Sequence, residues 1–132
     1  MRIAIRVVIV LAAAIVALVI VGAESREVVV LHTTDAEGAS HTTRLWIVDD
    51  AEGAWLRAGH DGSSWFRDLE VRPDVEVERG GKTLAVRAVP VRDPAERARI
   101  NALTVKKYGW AGHLYAMIGG GRAAIPIRLE TR

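Results

Sequence analysis

The residues best suited to chemistry are His41-Thr42-Thr43-Arg44, which follow the short polar loop Asp35-Ala36-Glu37-Gly38-Ala39-Ser40. Two hydroxyls, a guanidinium and the N–H groups of a glycine-containing loop are the groups a phosphate calls for. The N–H groups and hydroxyls donate to its oxygens, and the guanidinium meets it with a planar fork. A phosphate-bearing ligand is therefore expected here. Without a ligand, the same residues read as strand-edge threonines and a solvated charge.

Other chemistries find less in the chain. The histidines stand at positions 32, 41, 60 and 113, with no i, i+4 pair and no short metal-ligand spacing, so no metal is expected. There is no cysteine, which excludes disulfides, thiolate metal sites and cysteine nucleophiles. Neither a Gly-Xaa-Ser-Xaa-Gly string nor a phosphate-loop Gly-Lys-Ser/Thr string occurs. His60 and Asp61 lie beside Ser63 and Ser64, but hydrolase triads are built from residues distant in sequence. The net charge is +2, and the cations are scattered without a basic block, which argues against nucleic acid. Tyr108, Trp110 and Tyr115, with Met117 and Ile118, form an aromatic group near the C-terminus. It reads as a lid, as a membrane-interface patch, or as a plug for the open end of a barrel.

These residues must be positioned by a mainly β fold. Val28 to Asp49 reads as strand, loop, strand, with Leu45 and Ile47 on one face and Trp46 and Val48 on the other. Short strands follow at 54–58, 74–79, 82–91 and 123–130. Gly80-Gly81 marks a tight hairpin. Ser63 is a suitable cap for a short helix that ends near Pro73. Asp93-Pro94-Ala95-Glu96 opens a longer helix, with Asp as cap, Pro in the first helical position and Glu three residues after the cap; it runs to about Lys107. Ile100, Leu103 and Lys107 are expected to share a face, and a second helical or irregular piece follows over 108–118. Six strands joined by local hairpins are mostly antiparallel, and closing them removes the sheet edges. The expected fold is a six-stranded split β-barrel, with one long helix before the last strand and a hydrophobic helix in front.

That leading segment, residues 1–23, is set apart from a single domain over 24–132. Residues 7–23 carry no charge, and Arg2 and Arg6 precede them. The segment reads as a single-pass anchor through residues 3–23, with the N-terminus cytoplasmic and the domain outside. The alternatives are a signal peptide cleaved near Ala23, giving a secreted protein, and a buried helix.

Several strings, in order, resemble the deazaflavin-dependent nitroreductase-like family of the flavin-binding split barrels, relatives of the pyridoxamine-phosphate oxidase fold. They are LHTT (31–34), HTTRLW (41–46), WFRDLEVRPDVEVERGGK (65–82), RDPAERARI (92–100) and IPIRLE (125–130). The resemblance implies coenzyme F420, or alternatively FMN, in a groove, with hydride passed to a quinone or nitro-type acceptor. It assigns His41, Thr42, Thr43, Arg44 and Leu45 to the cofactor, followed by Arg57, Ala58, Gly59 and Trp65. It places Tyr108, Trp110, His113 and Tyr115 over the substrate, and it implies a homodimer. The family's loop is Gly-Arg-Lys-Ser-Gly; here Asp35-Ala36-Glu37-Gly38 is one residue shorter and acidic, and a phosphate beside it needs Arg44 or another cation in compensation. Alternative readings are a non-catalytic split barrel that binds flavin or haem, and a cofactor-free interaction domain.

Overall fold

The structure is a computed structural model that describes residues 2–24, 27–59, 62–109 and 124–132. Its strands are β1 (Val28–Thr34), β2 (Ser40–Trp46), β3 (Val48–Asp50), β4 (Gly53–Ala58), β5 (Asp74–Arg79), β6 (Lys82–Pro90) and β7 (Ile125–Thr131). The helices among the described residues are α1 (Arg2–Glu24), α2 (Ser64–Val71) and α3 (Pro94–Tyr108). The strands form one seven-stranded sheet in the order β2-β1-β5-β6-β7-β4-β3, with every pair antiparallel. The two edge strands, β2 and β3, are consecutive in the chain and separated only by Ile47. A sheet whose edges lie one residue apart has to curl back on itself, and the result is a half-barrel.

Seven strands rather than six result from a break at Ile47. The alternation Leu45, Ile47 reads as one continuous strand, but the Ile47 backbone leaves the ladder and bonds to α3 instead. The Tyr108 hydroxyl accepts from Ile47 N–H at 2.9 Å. It also lies 2.8 Å from the Ile47 carbonyl and 2.7 Å from that of Glu27, so its single proton serves one of them at a time. Lys107 Nζ donates to the Ile47 carbonyl at 2.7 Å. A peptide removed from a sheet therefore keeps its hydrogen bonds.

Strand alternation builds two apolar layers. Inward-facing Val29, Leu31, Leu56, Ala58, Val75, Val77, Val86, Ala88, Ile125 and Ile127 fill the barrel, with Trp65, Phe66 and Leu69 of α2 packed onto them. On the outer side, Val48, Trp55, Ile100 and Tyr108 form a second cluster under α3, joined by Trp46, Val91 and Leu103. The buried stripe of α3 is Ile100, Thr104, Tyr108, spaced i, i+4, i+8; Leu103 and Lys107 flank it. Asp93 caps α3 by accepting from Ala95 N–H at 3.0 Å. Glu96 pairs with Arg99 at 2.6 Å instead of closing a capping box. Ser63 stands at the cap of α2 but makes no capping bond through its side chain. Gly80 and Gly81, both at positive φ, turn the β5–β6 hairpin.

The N-terminal expectation is corrected. Among the described residues, no helix is long and apolar enough to cross a membrane. The single-pass anchor with an external domain therefore does not stand, and membrane contact through residues 3–23 finds no support. The uncharged run in α1 lies between Arg6 and Glu24, and its ~26 Å length falls short of a ~30 Å hydrocarbon core. The helix also continues unbroken through Val21-Gly22-Ala23, where the secreted alternative placed its cleavage.

Replacing Tyr108 with Phe tests the corner. The variant leaves the buried Ile47 N–H without its acceptor, at an expected cost of about 1–3 kcal/mol. A urea midpoint equal to that of the wild type would show that the corner holds without the hydroxyl.

Candidate functional site

Where the curled sheet nears closure, β2 and β4 approach each other without pairing, and α3 lies across the gap. A cavity of ≈ 270 Å³ opens there, lined by Arg44, Leu45 and Trp46 of β2, Val48 of β3, Trp55 and Arg57 of β4, and Thr104 of α3. Three of the residues expected to touch a cofactor, Arg44, Leu45 and Arg57, thus meet in one place. Arg57 is held from the helix, its Nη1 donating to Asn101 Oδ1 at 2.7 Å. Thr104 donates to the Ile100 carbonyl at 2.8 Å, which ties its hydroxyl to the helix backbone.

Two indoles complete the cavity. Trp46 stacks on Tyr108 with ring centroids 4.4 Å apart and planes 9° from parallel. Trp55 is almost fully buried, and its indole N–H donates to Asp50 Oδ2 at 3.0 Å. Asp50 Oδ2 also accepts from Arg99 at 2.7 Å, while Oδ1 takes the N–H groups of Glu52 and Gly53 at 2.9 and 3.0 Å. Burial acts against the charge on Asp50, but the bonds from Arg99, Glu52, Trp55 and Gly53 outweigh it and hold the carboxyl below its ordinary value of 3.8. Trp46, Trp55 and Thr104, which line the cavity, and Asn101, which holds Arg57, were not among the candidates expected from the sequence. The available signal was the phase of Trp46, opposite to that of Leu45 and Ile47 in the same run.

The remaining candidates lie elsewhere. Ala58 and Trp65 are buried in the barrel core, and Gly59 is half-buried at the end of β4. Thr42 is exposed and Thr43 half-buried, in register with His32 and Leu31 of β1. Tyr108 is fully buried, with both its ring and its hydroxyl engaged by the fold. Burial pushes its pKa up to about 12. Trp110, His113 and Tyr115 lie outside the described residues, as does the helical piece expected over 110–118.

His41 faces the β1–β2 loop, which is folded around Asp35. Asp35 Oδ1 accepts from the N–H groups of Glu37 and Ala39, both at 2.9 Å. Its Oδ2 meets His41 Nε2 at 2.9 Å, and Arg72 Nε donates to its carbonyl at 3.1 Å. The loop N–H groups that a phosphate would need are thus already engaged by the chain's own carboxylate. The His41 bond is the main cause holding Asp35 below 3.8, and the Asp35 bond raises His41 above 6.5.

This pair sets a pH window. The raised pKa of His41 means that its contribution is complete below pH 6.5 and lost as pH rises through the folded value. The lowered pKa of Asp35 means that its contribution is complete above pH 3.8 and lost as pH falls through the folded value. The His41 ring, followed by NMR, should titrate above 6.5 in the wild type and move down toward that value in Asp35→Asn. Equal midpoints in the two proteins would rule the pairing out.

The fold is a mainly β, curled antiparallel half-barrel with helices, and it carries a cationic, aromatic-walled cavity at its seam. The chain belongs to the F420H(2)-dependent quinone reductase family, whose pattern matches residues 6–132. No curated protein sequence matches it. Among solved structures it is similar to HutZ, described as a haem storage protein of Vibrio cholerae, with 20% identity, TM-score 0.63, and 84% of this chain and 85% of that one covered. It is also similar to the conserved protein Rv2991 of Mycobacterium tuberculosis, with 20% identity, TM-score 0.67 and coverage of 82% and 74%. A third similar structure is the F420-H2 dependent reductase FDR-A, with 23% identity, TM-score 0.56 and coverage of 76% and 93%. At these identities the likeness speaks for the fold. Coenzyme F420 is the cofactor of the family, and the cavity's lining suits it: indoles for a planar ring and guanidiniums for acidic groups.

Proposed function

We propose that this protein is a reductase that transfers hydride from reduced coenzyme F420 to a quinone-type acceptor, with nitro compounds as the second acceptor class. The observation that carries the reading is the seam cavity, where Arg44 and Arg57 flank a pocket walled by Trp46 and Trp55. When bound, the coenzyme supplies a hydride, and the protein's part is to bind, orient and exclude water. Trp46 offers a flat wall backed by Tyr108, so a planar ring laid on it extends an existing stack. Arg57, fixed by Asn101, directs positive charge at an acidic group of the ligand. Arg44 on β2 takes the acidic tail, because the N–H groups of the β1–β2 loop are engaged by Asp35. Tyr108 is fully buried and its hydroxyl is engaged at the Ile47 corner, so the acceptor's proton comes from another source.

The unit proposed to bind the cofactor is residues 24–132. His41, Thr42, Thr43 and Gly59 border it, and Trp110, His113 and Tyr115 are the proposed cover for the acceptor. A homodimer belongs to the same reading, and sedimentation velocity of the full chain measures it. A haem-carrying module is the weaker reading, because the described lining of the cavity offers no histidine as an axial ligand.

The test is titration of the full-length protein with F420, followed by the coenzyme's own fluorescence, and then its oxidation with menadione as acceptor. Arg57→Gln should weaken binding by roughly tenfold or more, the loss of a hydrogen bond to a charged group. A folded wild-type protein that binds no F420 would sink the proposal.

A further inference from the structure

Asp50 is engaged beyond what a turn requires. Its two oxygens accept from four donors: the turn N–H groups of Glu52 and Gly53 on Oδ1, and the Trp55 indole and Arg99 guanidinium on Oδ2. That is the full acceptor capacity of a carboxylate. Its side chain is only 11% exposed. Arg99 also lies over the Trp55 ring, 5.4 Å from its centroid, and is oriented from α3 by Glu96 at 2.6 Å. The indole is thus held at its edge by a carboxylate and on its face by a guanidinium, while the same residue forms part of the seam cavity.

We propose that Asp50 is a positioning residue for the cofactor cavity: through Trp55, and together with Arg99, it fixes one wall of the cavity in which the cofactor's planar ring lies on Trp46. The inference rests on the functional reading above and adds to it a residue outside the cavity. The short turn between β3 and β4 and the orientation of the indole share one carboxylate, so the wall cannot tilt without loosening the turn. Asparagine cannot replace this group. One of its two positions becomes an N–H donor, which must face either the turn N–H groups or the indole and guanidinium. Lysine in place of Arg99 keeps the charge but lacks the fork that reaches Asp50 and Glu96 together.

The experiment uses full-length wild type, Asp50→Asn and Arg99→Lys, with Glu52→Gln as a charge-matched change in the same turn. Two readouts are combined: the Trp55 indole N–H resonance in ¹⁵N-labelled protein without coenzyme, and the Kd for F420 with kcat and KM for menadione. Asp50→Asn and Arg99→Lys are expected to shift the Trp55 resonance and to raise the Kd about three- to tenfold. They should also lower kcat more than they raise the KM for menadione, while Glu52→Gln stays near wild type. A shifted resonance with Kd and kcat within about twofold of wild type would overturn the proposal, leaving Asp50 as a turn residue only. An unmoved resonance would also overturn it, because the clamp would then not exist. Failure of the wild type to bind F420, with the resonance still responding to Asp50→Asn, would overturn the functional reading separately and remove the cofactor role with it.

Discussion

The molecule depends on one hydroxyl. Tyr108 Oη takes up the Ile47 N–H and lies within hydrogen-bond distance of the carbonyls of Ile47 and Glu27. The sheet can therefore turn its corner between β2 and β3 with no buried peptide left unpaired. Tyr108 is also the last residue of α3, so the bond that turns the corner fixes where the helix lands. Around it, Arg79 grips the carboxylates of both Glu27 and Asp49, and Lys107 reaches Glu27 as well. The Arg79 hydrogen bond is the largest cause holding each carboxyl below its ordinary value, at 4.5 for Glu27 and 3.8 for Asp49. The residue before β1, the middle of β3, the end of β5 and the end of α3 are gathered at this point.

The cavity is a consequence of that corner. With Ile47 turned into the barrel, Trp46 and Val48 on either side of it face out, under α3. Trp55, paired with Val48 across β3 and β4, joins them on the same side. The gap between β2 and β4 then has an apolar floor made by residues that also pack the helix. The arginines at its border come from strand positions that point away from the barrel core. The cavity and the packing of α3 draw on the same outward phase of the strands.

Much of the fold was legible in local sequence. Val75 and Val77 alternating with glutamates, the Gly80-Gly81 turn and the Asp93-Pro94 cap each carry their cause within a few residues. The break at Ile47 was not legible, because Ile47 satisfies the alternation of its own strand and its actual partner lies 61 residues away. Arg44, Leu45 and Arg57, expected at a cofactor from the sequence, line the seam cavity. That Trp46 and Trp55 line it too, and that Asn101 holds Arg57, depends on where α3 crosses the sheet, which local sequence does not carry. Ala58 and Trp65 were expected at a cofactor from the family resemblance; the inward phase of β4 and the apolar face of α2 put their side chains in the barrel core. The location of α1 was overestimated from composition, since apolar residues alone do not settle whether the run between Arg6 and Glu24 is long enough.

The β1–β2 loop shows how charge reversal is accommodated without abandoning the fold. Asp35 and Glu37 make this loop acidic, and an unsatisfied carboxylate there would repel an acidic ligand. Asp35 is instead satisfied from within, by two backbone N–H groups and His41, and Arg72 secures its carbonyl. A phosphate can enter this cradle only by displacing those bonds, each worth about 0.5–1.5 kcal/mol net, and it would then face the displaced carboxylate at close range. Arg44 and Arg57, at the seam, bring positive charge with no carboxylate among the cavity's described lining residues. On the proposed function, these terms favour the strand guanidiniums of the β2–β4 gap over the loop backbone as the place for an acidic group.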